Sequence, residues 1–202
     1  MSADPLVLAT RNQDKLHELA RILGTGVRLS GLDAFPGAPD VPETGATFEA
    51  NALLKARAVA AYTGLPAVAD DSGLCVDALN GMPGVLSARW AGQHGDDKAN
   101  LNLLLAQVAD VPDARLGARF VCAAALVVPA DGVPGEWVVT GQVEGRLIRA
   151  PKGSGGFGYD PVFQPDGFDL TTAEMTPDAK DAISHRGRAF RALAPFITGR
   201  LT

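Results

Sequence analysis

Apolar and polar positions fall along this chain in short blocks of changing period, and the blocks predict strands and helices in mixed order. Leu6 to Ala9 reads as a short buried strand. Polar Thr10-Arg11-Asn12 follows, then a helix from about Gln13 to Leu23 with Leu16, Leu19, Ala20 and Leu23 on its apolar stripe. Val27 to Leu29 reads as a second strand, after which Pro36, Gly37, Pro39 and Pro42 predict an irregular connection over 32–45. Thr47 is placed to cap a helix running to about Tyr62, stopped by Gly64 and Pro66. Pro66 to Ala69 is a buried strand that leads into Asp70-Asp71-Ser72-Gly73. Farther on come a helix from Asp97 to Val108 with Leu101, Leu104, Leu105 and Val108 inward, and a central strand over Arg119 to Val128. Glu136 to Val143 and Leu147 to Ile148 suggest a strand meander. Beyond the glycine-rich 152–158 lie a short strand at Pro161 to Gln164, a helix opened by Pro177, and a last helix capped by Ser184 and reaching about Leu201. The pattern is mixed α/β without internal repeats, read as a single domain over 1–202.

Composition narrows the class of protein. Of 202 residues 47% are apolar and 20% charged, as in globular proteins that bury a sizeable core. The net charge of -5 argues against a nucleic-acid partner, because such proteins carry a basic face to release counterions. A phosphate ligand must then meet a local basic pocket. Cys75 and Cys122 lie in apolar surroundings, which suits reduced thiols in a cytoplasmic protein and offers no zinc spacing. The first residues lack the basic and long apolar regions of a signal peptide, and no run reaches about 18 apolar residues, so no membrane partner is expected.

Chemistry concentrates where the apolar blocks end. The adjacent carboxylates Asp70 and Asp71 repel each other unless a cation or hydrogen-bond donors hold both ionised, so they read either as a metal or acid/base site or as a turn closing a strand. Two charges can serve one site only if the strand has already broken at Asp70, since neighbouring strand side chains face opposite ways. Thr10, Asn12 and Lys15 surround a helix N-terminus, which favours anions; an ordinary capped helix has the same composition. Asn51 and Lys55 share a helix face, and Glu43 lies in the loop before it, as an exposed acid or a metal ligand. The stretch Gly153 to Gly158 matches GxGxxG formally, but no helix opens after it, so a dinucleotide reading fails. It presents Phe157, Tyr159 and Asp160, an aromatic and acidic set suited to a nucleobase. His185 and Arg186 open the last helix, with Lys180 shortly before.

In order, Thr10-x-Asn12-x-x-Lys15, Glu43-Thr44-Gly45 with Glu49-Ala50-Asn51-Ala52 and Lys55, Ala69-Asp70-Asp71-Ser72-Gly73-Leu74, Gly155-Gly156-Phe157-Gly158-Tyr159-Asp160-Pro161 and Ser184-His185-Arg186 resemble the Ham1/inosine triphosphatase family. The resemblance runs from about Leu6 to Leu201. It implies an α/β fold with a mixed, highly twisted central sheet flanked by helices, two lobes around a substrate cleft, and a homodimer. It also implies Mg²⁺-dependent hydrolysis of the purine nucleoside triphosphates ITP, dITP and XTP to monophosphate and pyrophosphate. By this resemblance Thr10, Arg11, Asn12, Gln13, Asp14 and Lys15 form the phosphate segment, with Lys55 facing the same phosphates. Glu43 and Asp71 are metal ligands, Asp71 is the proton acceptor and Asp70 a supporting acid. Ser72 touches substrate, while Phe157, Gly158, Tyr159, Asp160, Lys180, His185 and Arg186 recognise the base. Arg11-Asn12-Gln13 departs from the commoner Gly-Asn after Thr10. Two other readings are a pyrophosphatase for different modified nucleotides and a purine-nucleotide sensor without turnover. The acids Glu43, Asp70 and Asp71 favour turnover, because a plain phosphate binder gains nothing from added negative charge.

Overall fold

A computed structural model describes residues 5–11, 13–130 and 132–201. Its sheet has six strands in the order β2-β1-β3-β4-β5-β6, where β1 is Leu6–Leu8, β2 Leu29–Gly31, β3 Ala67–Val76, β4 Gly117–Val128, β5 Gly135–Leu147 and β6 Phe163–Pro165. It is mixed: β1 pairs in parallel with β2 and β3, and β5 pairs antiparallel with β6. The helices are α1 (Gln13–Leu23), α2 (Phe48–Thr63), α3 (Asp97–Gln107), α4 (Pro177–Ile183) and α5 (His185–Leu201). None among the described residues is long and apolar enough to cross a membrane.

The chain forms two compact units, and neither is a contiguous stretch. The first comprises 1–71, 122–141 and 186–202; the second comprises 72–121 and 142–185. In the first, Leu6 and Leu8 of β1, Val68 of β3 and alternate residues Cys122, Ala124 and Leu126 of β4 pack with Leu19 of α1 and Phe190, Leu193 and Ile197 of α5. In the second, Leu74 and Val76 of β3 pack with Leu101 and Leu104 of α3, and with Val143, Leu147, Tyr159 and Phe163.

Local signals explain most helix ends. The Thr47 hydroxyl accepts from Ala50 N at 3.2 Å, and Gly64 ends α2 in a left-handed conformation. Asp96 caps α3 and Thr176 caps α4, with Pro177 in its first turn.

The strands depart from expectation in four places. The strand expected over Pro66 to Ala69 runs on to Val76, so there is no break at Asp70. Ion pairs and hydrogen bonds to both acids offset the cost of burying carboxylates, and the sheet ladder carries the strand through. The expected Val27 to Leu29 strand lies two residues later, because a 3-10 turn occupies Gly24–Gly26 and Val27 caps it. The expected meander is one strand, β5: pairing of Gly145 with Pro165 on β6 continues it across the glycine. The strand expected at Pro161 to Gln164 starts at Phe163, since Pro161 sits in a 3-10 turn over Asp160–Val162, which suits its fixed φ.

Candidate active site

In the first unit β3 delivers both acids, and α1, α2 and α5 supply their partners. Asp70 is buried. Lys15 Nζ, from the first turns of α1, lies 3.0 Å from each of its oxygens, and Arg186 Nε, from the start of α5, lies 3.2 Å from Oδ2. Burial alone would push the Asp70 carboxyl up. The charges of Lys15 and Arg186, with Lys55 behind them, hold it well below the usual carboxylate range.

Asp71 has another environment. Asn51 Nδ2 donates to its Oδ2 at 2.9 Å, and Lys55 Nζ lies 3.7 Å from its Oδ1. The same ammonium sits 2.5 Å from Glu43 Oε1, so one cation is flanked by two carboxylates from two segments. Burial raises the Asp71 pKa, and Glu43 adds to the rise against the opposing pull of Lys55 and Asn51. Burial works against the charge on Lys55, yet Asp71 and Glu43 raise its pKa overall. Burial and Glu43 thus raise the Asp71 carboxyl, whereas Lys15 and Arg186 hold the Asp70 carboxyl low.

The donor chemistry fits a hard divalent cation. Among the described residues no three His, Cys, Asp or Glu groups converge as a closed metal cage. Magnesium needs no such cage: it takes one or two carboxylates and fills its shell with water and phosphate oxygens. Glu43 and Asp71, drawn to one cationic centre, supply that number.

In the second unit the glycine-rich loop closes on Asp160. Phe157 N donates to Asp160 Oδ2 at 2.8 Å, Lys180 Nζ lies 2.5 Å from the same oxygen, and Thr172 Oγ1 donates to Oδ1 at 2.8 Å. The Lys180 ammonium also stands 5.4 Å from the centroid of the Phe157 ring, which is 64% exposed. A small open pocket lies beside this loop. Phe120, Val143, Phe163 and Ile183 give it apolar walls, and Asp160, Lys180, Ser184 and His185 give it polar ones. The His185 ring stacks on Phe120 with centroids 5.0 Å apart and planes 13° off parallel. An apolar slot with a few polar groups is what a flat heterocycle needs.

The remaining expected residues fall as follows. Thr10 and Arg11 precede α1; Arg11 is exposed and reaches Ala38 O at 3.5 Å. Gln13 and Asp14 open α1, and Asn12 lies outside the described residues. Ser72 is half-buried on β3, and Gly158 N donates to Asp97 at 2.9 Å. Tyr159 packs into the core of the second unit, its hydroxyl donating to Ser87 O at 2.9 Å, so Phe157 rather than Tyr159 offers an open ring. Arg186, grouped by resemblance with the base, here meets Asp70. Sequence reasoning misses Phe120 and Thr172. Phe120 hides in an apolar strand, and nothing local marks either residue.

Comparison with known proteins places the chain in a family. A profile of the Ham1 family matches residues 6–196. The dITP/XTP pyrophosphatase of Streptomyces coelicolor is 63% identical over 195 residues, covering 95% of this chain and 96% of that protein. The crystal structure of a nucleoside-triphosphatase, dITP/XTP pyrophosphatase, from Mycobacterium abscessus superposes with a TM-score of 0.81 at 58% identity, covering 95% of this chain and 99% of that one. A HAM1 protein from Coxiella burnetii superposes with a TM-score of 0.89 at 40% identity, covering 96% and 98% of the two chains. Strand order, paired acids and near full-length similarity lead to one assignment: the chain belongs to the Ham1 family.

Proposed function

We propose that this protein hydrolyses the non-canonical purine nucleoside triphosphates ITP, dITP and XTP to the monophosphate and pyrophosphate, with Mg²⁺, and so cleanses the nucleotide pool. The observation that carries the reading is Lys55 held between Glu43 and Asp71, with Asn51 on the same Asp71. Similar proteins are named dITP/XTP pyrophosphatase, which supports dITP and XTP among these substrates.

Glu43 and Asp71 would hold the metal, which would supply charge neutralisation at the phosphates. Asp71 takes a proton from the attacking water as its oxygen bonds to the α-phosphorus; the bond to the bridging oxygen breaks and pyrophosphate leaves with the electron pair. Lys55 and Lys15 meet charge that develops on the leaving group, a positioning and electrostatic role. Asp70 holds Lys15 and Arg186 in place beforehand.

The cavity beside Lys180 and His185 is assigned the base. A 6-oxo purine accepts at O6 and donates at N1-H, whereas adenine reverses both and would leave buried donors unpaired. Such mismatches cost orders of magnitude in rate. We assign the protein to the cytoplasm as a homodimer. Cys75 and Cys122 are buried thiols, which suits a reducing compartment, and the dimer follows the family resemblance.

The test is incubation with Mg²⁺ and a panel of ITP, XTP, dITP, GTP, ATP and dUTP, with pyrophosphate and orthophosphate quantified separately. Pyrophosphate from the first three, far above the others, is expected. Orthophosphate as the direct product contradicts the mechanism, and binding without product points to a sensor.

A further inference from the structure

We propose that Asn51 is a positioning residue that fixes one oxygen of Asp71, Oδ2, and so sets the other, Oδ1, toward Lys55 and the loop that carries Glu43. The inference deepens the activity proposed above and rests on it. Asn51 is fully buried on α2, and both ends of its amide are engaged: Nδ2 donates to Asp71 Oδ2 at 2.9 Å and Oδ1 accepts from Gly45 N at 2.7 Å.

The amide has one workable orientation. An ionised carboxylate only accepts and a backbone N-H only donates, so a flipped Asn51 would oppose oxygen to oxygen on one side and hydrogen to hydrogen on the other. The Asp71 carboxylate is pinned at Oδ2, while its Oδ1 faces the Lys55 ammonium that also meets Glu43. The chain accommodates this lock at some cost in sequence freedom. A Cβ at position 45 would stand 2.7 Å from Asn51 Oδ1 and 2.8 Å from Ala50 Cβ, so the close approach of the loop that carries Glu43 requires glycine. One buried side chain thus ties that loop to Asp71 and orients the carboxylate.

Asn51→Asp separates the two halves of this role, because it keeps an acceptor for Gly45 N and loses the donor to Asp71. With ITP, kcat is expected to fall by about 10²-fold while KM stays within about threefold of wild type. Mn²⁺ binding without nucleotide, read by electron paramagnetic resonance, is expected to be no weaker than wild type. A residue that only anchors the loop would leave kcat unchanged in this variant, and that result overturns the proposal. So does loss of Mn²⁺ binding in step with kcat. If Asn51→Asp does not fold, Asn51→Ser, which loses both contacts, is read on Mn²⁺ binding: kcat lost with Mn²⁺ binding kept supports the role, and the two lost in step overturn it. Wild-type protein that releases no pyrophosphate from ITP, dITP or XTP defeats the underlying activity and this proposal together. Active wild type with an equally active Asn51 variant defeats the positioning role alone.

Discussion

Asp70 and Asp71 are neighbours on one unbroken strand, yet Asp70 is held by Lys15 and Arg186 while Asp71 is held by Asn51 and Lys55. The division follows from strand geometry, which sends adjacent side chains to opposite faces, and it gives two like residues opposite electrostatic characters. Asp70 is kept ionised by two cations. Burial and Glu43 push Asp71 toward holding a proton.

Asp71→Asn preserves size and leaves β3 intact, but it removes the proton acceptor and a metal ligand. Turnover of ITP should fall by about 10² to 10⁴-fold with the far-UV circular dichroism spectrum unchanged. Near-normal activity would refute the role given to Asp71.

Asp70→Asn acts chiefly on stability. It leaves Lys15 and Arg186 facing a buried neutral amide, and breaking such a pair by removing one partner costs about 3 kcal/mol. Urea unfolding monitored by tryptophan fluorescence should show a lower midpoint with an unchanged slope.

Gly156→Ala tests the base loop. Gly156 has φ +70°, and a Cβ there would meet the Asp160 carboxylate and stand 2.8 Å from Lys180 Nζ. The clash separates Phe157 and Lys180 from their shared anchor, so KM for ITP should rise by about tenfold with a smaller change in kcat. A wild-type KM would mean that the loop does not touch the base.

Tyr159 gives a pH signature. Burial, then the nearby Asp97, raises its phenol above the ordinary value of about 10, so the folded state holds this proton more tightly than the unfolded chain. Its stabilising contribution is therefore complete below the unfolded pKa and is lost as pH rises from there through the folded one. In Tyr62→Phe, which leaves Tyr159 as the single tyrosine, absorbance at 295 nm should stay flat until alkali unfolds the protein. A phenolate transition near pH 10 in folded protein would contradict this burial.

Much of this fold is legible in the sequence where signals are local. Gln13 and Leu23 bound α1 as the apolar stripe predicts, and Thr47 and Gly64 flank α2 as cap and stop. The Asn51 and Lys55 spacing predicts a shared helix face, and in the structure both side chains approach Asp71. What fails is set by distant partners. Asp70-Asp71-Ser72-Gly73 has the composition of a turn, and Lys15 and Arg186, 55 and 116 residues away, offset the burial of Asp70 within the strand. Tyr159 resembles its loop neighbour Phe157 until its hydroxyl meets Ser87 O, 72 residues away. Phe120 shares a site with His185 through a stacking contact that no spacing announces.

The site of attack is the central chemical claim, and hydrolysis of ITP in ¹⁸O-water with Mg²⁺ tests it most directly. Mass spectrometry of the products should find the label in the phosphate of the inosine monophosphate and none in the pyrophosphate. Label in pyrophosphate, or release of labelled orthophosphate, would contradict attack at the α-phosphorus.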